Sequence, residues 1–196
     1  MTLHLHNRNA LITGASRGLG LEMAIAMGEA GLAGITITAA PGSDETSTHI
    51  ENELQAAISV IEKTGTKVNA VFSDVGRSDD CKQAIDSHIN MFPCLDILIN
   101  NAGVMLLSYM RNAHVDEWER MIDVNLKGPL FGIGAVMPIM KAQGSGHIVN
   151  VSSLGAVAPV QGVSLYQAAK AACRTFSLAA AKDLADNIDP QCLAPL

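Results

Sequence analysis

The stretch TGASRGLG, from Thr13 to Gly20, decides the fold of this chain. It follows a short apolar run, Ala10–Thr13, and it opens a segment of helical character near Gly18–Ala30. A glycine-rich turn between a first strand and a first helix favours phosphate binding, because the helix N-terminus offers free N–H groups and the positive end of its dipole. The sequence therefore predicts a nucleotide-binding turn near the N-terminus.

The three glycines of this turn have different expected tasks. Gly14 permits a tight turn, Gly18 lets the backbone approach a pyrophosphate, and Gly20 permits close contact between helix and strand. The spacing is GxxxGxG rather than GxGxxG. Because glycine triads also occur in plain tight turns, further motifs have to support this interpretation.

The rest of the chain repeats the alternation of strands and helices. The other strand-like runs are Ile35–Ala39, Val68–Phe72, Leu95–Ile99 and His147–Val151, and the other helical stretches lie near Thr48–Thr64, Ser78–Met91, Val115–Lys141 and Ser164–Ala185. Short apolar runs are typical of strands buried on both faces, and right-handed crossovers through helices make such strands parallel. The sequence predicts an α/β fold: a doubly wound, Rossmann-type parallel sheet in the order 3-2-1-4-5, with helices on both faces, in a single domain over residues 1–196.

Composition argues against several classes of function. The chain has 196 residues, of which 48% are hydrophobic, and a net charge of −6, so neither nucleic acid nor an anionic membrane is an expected partner. No run of about 18 apolar residues occurs, and the N-terminal MTLHLHNRNA lacks the apolar region of a signal peptide. The cysteines are scattered without a CxxC pair, at Cys81, Cys94, Cys173 and Cys192. This pattern predicts reduced thiols in a cytoplasmic protein, with no metal site.

A tyrosine and a lysine lie one helical turn apart in YQAAK, at Tyr166 and Lys170. The two side chains share a helix face, and the positive charge of the lysine favours the tyrosinate form that general acid and base catalysis needs. An ordinary amphipathic helix can also carry such a pair. The other tyrosine, Tyr109, has no lysine at this spacing.

Four more motifs complete the pattern. They are Asp74-Val75 after the third strand, NNAG at 100–103, VNLKG at 124–128 and VNVSS at 149–153. In this order and with these separations, the sequence resembles the short-chain dehydrogenase/reductase family over nearly its whole length. Within this family, the general pattern of the sequence most resembles the 3-oxoacyl-carrier-protein reductase type. The resemblance implies an oxidoreductase that transfers a hydride between a nicotinamide cofactor and a small carbonyl or alcohol substrate.

The resemblance also implies a catalytic set. Tyr166 would be the general acid and base, and Lys170 would tune it and hold the hydroxyls of the nicotinamide ribose. Ser153 would hydrogen-bond the substrate oxygen; it is preferred to Ser152 because the family's serine lies thirteen positions before the tyrosine. Asn125 would hold a water that links Lys170 to solvent.

Cofactor contacts follow from the same resemblance. They are Gly14, Ser16, Arg17, Gly18, Leu19 and Gly20 at the phosphates and ribose, Asp74 and Val75 at the adenine, Asn101, Ala102 and Gly103 along the dinucleotide, and Tyr166 and Lys170 at the nicotinamide end.

The choice of nicotinamide cofactor depends on the end of the second strand. NAD-specific relatives carry an acid there that binds the ribose 2′-OH, but this chain has Ala39 and Ala40. Arg17 could pair with a 2′-phosphate, so the sequence favours NADP(H). NAD(H) stays open, because no Lys or Arg follows that strand and Asp44 and Glu45 are close in sequence.

The C-terminal part departs from the family pattern. Relatives continue beyond the region that QCLAPL resembles, so we expect a fragmentary sixth strand, with the later strands missing and a weakened activity. A fragment, a natural short form and a non-catalytic nucleotide-binding or interaction protein are three interpretations. The intact set of Asn125, Ser153, Tyr166 and Lys170 favours an enzyme.

Self-association is the remaining expectation. In this family the helices near Val115–Lys141 and Ser164–Ala185 pack against their copies, which implies a homodimer or homotetramer. The stretch AAKAACRTFSLAAA is small and apolar on several faces, which suits close helix contact but is also consistent with burial inside one chain.

Overall fold

The computed structural model describes residues 5–43, 45–112, 114–184 and 188–193, which contain six parallel strands in one sheet. The strands are β1 Asn9–Ile12, β2 Gly34–Ala39, β3 Lys67–Phe72, β4 Ile97–Asn100, β5 Gly146–Val151 and β6 Ile188–Leu193. The helices are α1 Gly18–Glu29, α2 Ser47–Glu62, α3 Ser78–Met91, α4 Val115–Ile122, α5 Gly128–Gln143 and α6 Ser164–Asp183. A π-helical turn, Asp123–Lys127, joins α4 to α5.

The sheet has the order β3-β2-β1-β4-β5-β6, and every neighbouring pair is parallel. The predicted fold class and the order of the first five strands are therefore confirmed. The expectation of a fragmentary sixth strand is wrong, because β6 pairs with β5 in continuous register from Gly146↔Ile188 to Val151↔Leu193. Pro190 has no N–H to donate, which is tolerated at the outer position that β6 occupies.

Helices cover both faces of the sheet, because successive side chains of a strand point to opposite faces. On one face, Ile12 of β1 packs in a cluster with Ala24 of α1 and Ile61 of α2. On the other face, Leu11 packs in a cluster with Ile85 of α3 and Val136 of α5. The single tetrapeptide β1 is thus buried between two helical layers, as its apolar sequence predicts.

Strand β3 departs from the expected burial on both faces. Its residues are partly or fully exposed, and the Phe72 side chain is 42% exposed. The reason is its place at the edge of the sheet, where β2 is its one partner among the described strands. The apolar run Val68–Phe72 could not distinguish an edge strand from a central one.

Because all strands are parallel, their carboxyl ends meet at one edge of the sheet. The glycine-rich turn, the segment after β3 and the segments after β4 and β5 all begin there. Within the part of the chain that the structure describes, no helix is both long and apolar enough to cross a bilayer.

Several sequence expectations concern residues whose surroundings are not described. Asp44, Ala185 and residues 194–196 lie outside the described residues, as does the side chain of Cys192. The other cysteines, Cys81, Cys94 and Cys173, form no disulfide bond within the described part of the chain. Among the described residues, no group of three His, Cys, Asp or Glu side chains is arranged to hold a metal ion.

Candidate active site

A cavity of about 460 Å³ opens at the carboxyl edge of the sheet. Its walls include all the predicted cofactor contacts, which are Gly14, Ser16, Arg17, Gly18, Leu19, Gly20, Asp74, Val75, Asn101, Ala102, Gly103, Tyr166 and Lys170. Asn125 and Ser153 are not among the residues that line it. The structure therefore brings the glycine-rich turn and the Tyr–Lys pair to one cavity, although about 150 residues separate them in sequence.

The glycine-rich turn is packed so closely that side chains would not fit at two positions. A Cβ atom on Gly14, which has a φ of +65°, would lie 2.9 Å from the Ala102 Cα atom. A Cβ on Gly20 would lie 2.5 Å from the carbonyl oxygen of Gly14. Gly18 differs, because no atom of the described residues lies within 4 Å of its Cβ position, so its backbone is open to a ligand.

Hydrogen bonds from the NNAG segment, residues 100–103, hold the glycine-rich turn at the edge of the sheet. The Asn101 side-chain Nδ2 donates to the carbonyl oxygens of Thr13 and Gly14, at 2.9 and 3.0 Å. In return, the Thr13 hydroxyl oxygen accepts the backbone N–H groups of Asn101 and Ala102, both at 3.0 Å. The side chain of Asn101 thus holds the turn in shape, in addition to its place in the cavity wall.

Tyr166 and Lys170 lie one turn apart on α6 and both face the cavity. The Lys170 side chain is 3% exposed, and its Nζ donates to the Val151 carbonyl oxygen at 2.8 Å. This nitrogen lies 5.9 Å from the centre of the Tyr166 ring. Among the described residues we find no hydrogen bond to the Tyr166 hydroxyl, which leaves it available to a substrate.

The two adjacent serines after β5 differ in their surroundings. Ser152 is buried, and its hydroxyl donates to the Lys170 carbonyl oxygen at 3.0 Å, so it joins β5 to α6. The Ser153 hydroxyl oxygen accepts the Gly155 N–H at 3.1 Å, which leaves its hydrogen for another acceptor. The geometry thus fits the preference for Ser153 over Ser152, although Ser152 is the one that lines the cavity.

Asn125 lies in the π-helical turn and is fully buried. Its side-chain amide exchanges two hydrogen bonds with the backbone of Val104, and its Nδ2 also donates to the Met121 carbonyl oxygen. A Cβ on Gly103 would lie 3.0 Å from Asn125 Oδ1 and 3.4 Å from Lys170 Nζ, so only a glycine separates these two groups. The amide therefore ties the segment after β4 to this turn, close to the lysine.

A buried chain of polar side chains positions α6 against the sheet. Asn100 Nδ2 donates to Asn150 Oδ1 at 2.8 Å, and Asn150 Nδ2 donates to the Ser177 hydroxyl at 2.9 Å. The Ser177 hydroxyl then donates to the Cys173 carbonyl oxygen at 2.7 Å. These bonds connect β4 and β5 to the helix that carries Tyr166, and polar networks buried with every member satisfied rigidify a core.

Asp74, the predicted adenine contact, is held by a residue that the sequence did not indicate. Both of its carboxylate oxygens accept from Arg120 Nη1 of α4, at 3.0 and 2.8 Å, and Oδ1 also accepts the Gly76 N–H. Behind this segment, burial raises the pKa of the Cys81 thiol, and together with smaller contributions from the charges of Asp80 and Asp74 it brings this pKa to about 11. That thiol therefore stays protonated near neutral pH.

Ser73, also missed by the sequence, precedes Asp74 in the cavity wall. Its backbone N–H donates to the Ala39 carbonyl oxygen at 2.8 Å, which places it beside the end of β2. Its side chain is 3% exposed, and its hydroxyl is buried without a hydrogen-bond partner among the described residues. A buried hydroxyl of this kind calls for a polar partner, and the cavity is the side from which a ligand could supply one.

Arg17 reaches a carboxylate across the cavity mouth. Its Nη1 lies 3.3 Å from Glu53 Oε1 of α2, and His49 Nε2 lies 3.3 Å from the same oxygen. Glu53 and Ile50 both line the cavity and lie three residues apart, so they share one side of the helix. That spacing is a weak signal in the sequence, because any amphipathic helix contains such pairs.

The comparisons agree with this geometry. A family profile described as short chain dehydrogenase matches residues 8–195. An uncharacterized oxidoreductase of Staphylococcus saprophyticus is 33% identical over 185 residues, which cover 93% of this chain and 74% of that protein. The crystal structure of a metagenomic short-chain oxidoreductase in complex with NADP is 30% identical, with a TM-score of 0.87, and the match covers 97% of this chain and 83% of that chain.

A second solved structure is also similar to this chain. The crystal structure of an NAD⁺-bound xylitol dehydrogenase is 25% identical, with a TM-score of 0.88, over 97% of this chain and 70% of that chain. The family match spans nearly the whole chain, and the similar sequence is called an oxidoreductase. This chain therefore belongs to the short-chain dehydrogenase family and is an oxidoreductase of that type.

Proposed function

We propose that this chain binds NADP(H) and transfers a hydride between it and the carbon of a small carbonyl or alcohol substrate. The observation that carries the proposal is the single cavity that the glycine-rich turn shares with Tyr166 and Lys170. A turn built for phosphate at one end and an acid–base pair at the other are the two parts that such a reaction needs.

The residues that line the cavity fit a dinucleotide. The first helix begins after Arg17, and no side chain of the described residues caps it, which leaves its N-terminal N–H groups for a phosphate. Gly18 is open at the same place, and Gly14 and Gly20 keep the turn close to the sheet. Near the end of β2, the buried Ser73 hydroxyl adds a polar group that has no hydrogen-bond partner in the described part of the chain.

The chain's own residues donate and accept the proton in this reaction. When bound, a nicotinamide supplies or accepts the hydride. In the reducing direction, the Tyr166 hydroxyl donates its proton to the substrate oxygen as the carbonyl carbon is reduced, and the oxidising direction reverses this transfer. The Lys170 ammonium is buried and lies 5.9 Å from the centre of the Tyr166 ring, so it supplies a positive charge beside this proton transfer.

The substrate oxygen needs a second hydrogen bond as charge develops on it. We assign this donor to Ser153, because the Gly155 N–H bond leaves its hydroxyl hydrogen free for the substrate. We assign to Asn125 the support of Lys170 and of its proton supply, since only Gly103 separates the two side chains.

The preference for NADP(H) is supported by two features of the adenosine end. Ala39 and Ala40 line the cavity where an acid would bind a ribose 2′-OH, and their side chains offer no acceptor. Arg17 lines the same part and carries a guanidinium that can pair with a 2′-phosphate. One similar structure holds NADP and another holds NAD⁺, so the choice must be measured on this chain.

The test is the affinity for both nucleotides after Arg17→Ala. We expect NADPH binding to weaken by about 1.5–3 kcal/mol, the range for a hydrogen bond to a charged group, and NADH binding to change little. Titration calorimetry on the 196-residue chain measures both. Arg174→Ala is the matched control, because it removes the same charge from an exposed position on α6. Equal losses for the two nucleotides would contradict the preference for NADP(H).

A further inference from the structure

The adenosine end of the cavity contains a carboxylate that comes from a helix. Glu53 of α2 lines the cavity together with Arg17, Ala39 and Ala40. Its side chain is 21% exposed, whereas that of Arg17 is 76% exposed, so the acid is the more enclosed member of the pair. The end of β2 therefore lacks an acid in its own sequence but has one close by in space.

The helical register explains how Glu53 reaches this place. Leu54, Ala57 and Ile61 are buried and fix α2 on the sheet. Ile50 and Glu53 lie three residues apart, on one side of α2, and face the cavity. The ion pair with Arg17 then holds the carboxylate near the N-terminus of α1.

Arg17 and Glu53 would have opposite effects on the affinity for a nucleotide that carries a 2′-phosphate. A guanidinium attracts a 2′-phosphate, whereas a carboxylate repels it and can only accept a hydrogen bond, such as the one that a ribose 2′-OH donates. Arg17 Nη1 and Glu53 Oε1 lie 3.3 Å apart, so the two side chains would contact the same part of a ligand. The buried hydroxyl of Ser73, next to Ala39, has no hydrogen-bond partner among the described residues, which independently indicates that a polar ligand belongs at this end.

We propose that Glu53 is a specificity-determining residue that limits the preference for NADP(H) given by Arg17. The proposal rests on the proposed function, since it assumes that this cavity holds a nicotinamide nucleotide. Discrimination between the two nucleotides is then set by opposite charges on α2 and on the glycine-rich turn, rather than by a residue at the end of β2.

The test compares dissociation constants for NADPH and NADH in Glu53→Gln, which keeps the shape of the side chain and removes its charge. We expect the ratio of the NADH to the NADPH constant to rise by about fivefold to tenfold, the effect of one unit charge on a phosphate at a partly exposed site. The matched control is Glu51→Gln, an exposed residue of the same helix outside the cavity wall, which should leave the ratio within about twofold.

A second comparison separates a direct effect from one that passes through Arg17. In the Arg17→Ala background, Glu53→Gln should still raise the ratio, because repulsion between carboxylate and phosphate does not require the arginine. If the shift disappeared in that background, Glu53 would be only a partner that positions Arg17, and the proposal would be wrong. Glu53→Ala provides the same readout should the glutamine variant unfold at a lower temperature.

Failure of this inference can be distinguished from failure of the proposed function. If the unchanged chain bound neither nucleotide in calorimetry, the cavity would not be a nicotinamide site and both proposals would fall. If it bound both, and Glu53→Gln changed the ratio no more than Glu51→Gln, the role of Glu53 alone would be refuted.

Discussion

Tyr166 shows how one residue obtains a chemical role from its surroundings. Its hydroxyl has no hydrogen-bond partner among the described residues, yet the buried Lys170 ammonium lies 5.9 Å from its ring centre. A tyrosine whose only task was packing would have no need of a buried cation one helical turn away. The pair is therefore better explained by proton transfer than by stability.

The variant Tyr166→Phe tests this role, because it removes the hydroxyl and keeps the packing of the ring. We expect NADPH affinity to persist, while the reduction of a small aldehyde or ketone falls by about 100-fold or more, the scale of a lost general acid. NADPH oxidation followed by absorbance measures the rate. Tyr109→Phe removes the same group from the tyrosine without a lysine partner, and it should leave the rate unchanged. Equal rates for Tyr166→Phe and the unchanged chain would refute the mechanism.

The sequence predicted the residues of the cavity that belong to local motifs. Gly14, Gly20 and Asn101 are constrained by contacts between segments that the motifs place next to each other. Glu53 and Arg120 could not be predicted, because each reaches the cavity only after two distant elements pack together. When the partner of a side chain lies far away in sequence, the residues next to that side chain contain no signal of the contact.

At the scale of elements, the predicted helices and strands agree with the structure to within a few residues. Helix α3 begins and ends where the sequence predicts, at Ser78 and Met91. The long helix near Val115–Lys141 contains the π-helical turn Asp123–Lys127, which hydrophobic periodicity did not reveal. Such a turn accommodates one extra residue, and π-helical turns often occur at functional sites, as this one does around Asn125.

His88 joins two elements inside the core. It is fully buried on α3, and its Nε2 donates to the Cys94 carbonyl oxygen at 3.0 Å. Since a carbonyl oxygen only accepts, Nδ1 is the unprotonated nitrogen, and it accepts the hydroxyl of Thr36 of β2 at 2.8 Å. The neutral ring therefore satisfies both nitrogens, and a second proton would be a buried charge.

This burial makes the stability of the chain depend on pH. Burial lowers the pKa of His88, although the Cys94 carbonyl and the Asp96 charge raise it in part. The unfolded chain takes up this proton near pH 6.5, and the folded chain takes it up only at lower pH. The contribution of the neutral His88 to the free energy of unfolding is therefore complete above about pH 6.5 and is lost as the pH falls below that value. We expect a loss of up to about 1.4 kcal/mol per pH unit from this residue.

Denaturant unfolding between pH 7.5 and 5 measures this slope. The variant His88→Gln should be less stable at pH 7.5, because it loses core contacts, but its stability should depend less on pH. His114→Gln changes an exposed histidine and should keep the slope of the unchanged chain. If His88→Gln retained the full slope, the proton would be taken up elsewhere.

At the scale of the whole molecule, α6 divides into two faces. Ala169, Cys173 and Ser177 are buried against the sheet, which agrees with packing inside one chain. The opposite side exposes small and apolar residues, among them Ala172 and Leu178, the latter 50% exposed. The buried face is consistent with packing inside one chain, and self-association through the exposed face stays a prediction.

We propose that the exposed face of α6 packs against a second copy of the chain, because the small and apolar residues on it, such as Ala172 and Leu178, suit close helix contact. Leu178→Glu places a charge in that contact and should lower the mass measured by light scattering at micromolar concentration toward that of one chain. Val60→Glu is the control, since it adds the same charge at a 38% exposed position on α2, on the other side of the sheet. A single-chain mass for the unchanged protein would show that α6 has no such partner, and equal effects of the two variants would show that the charge acts without a specific interface.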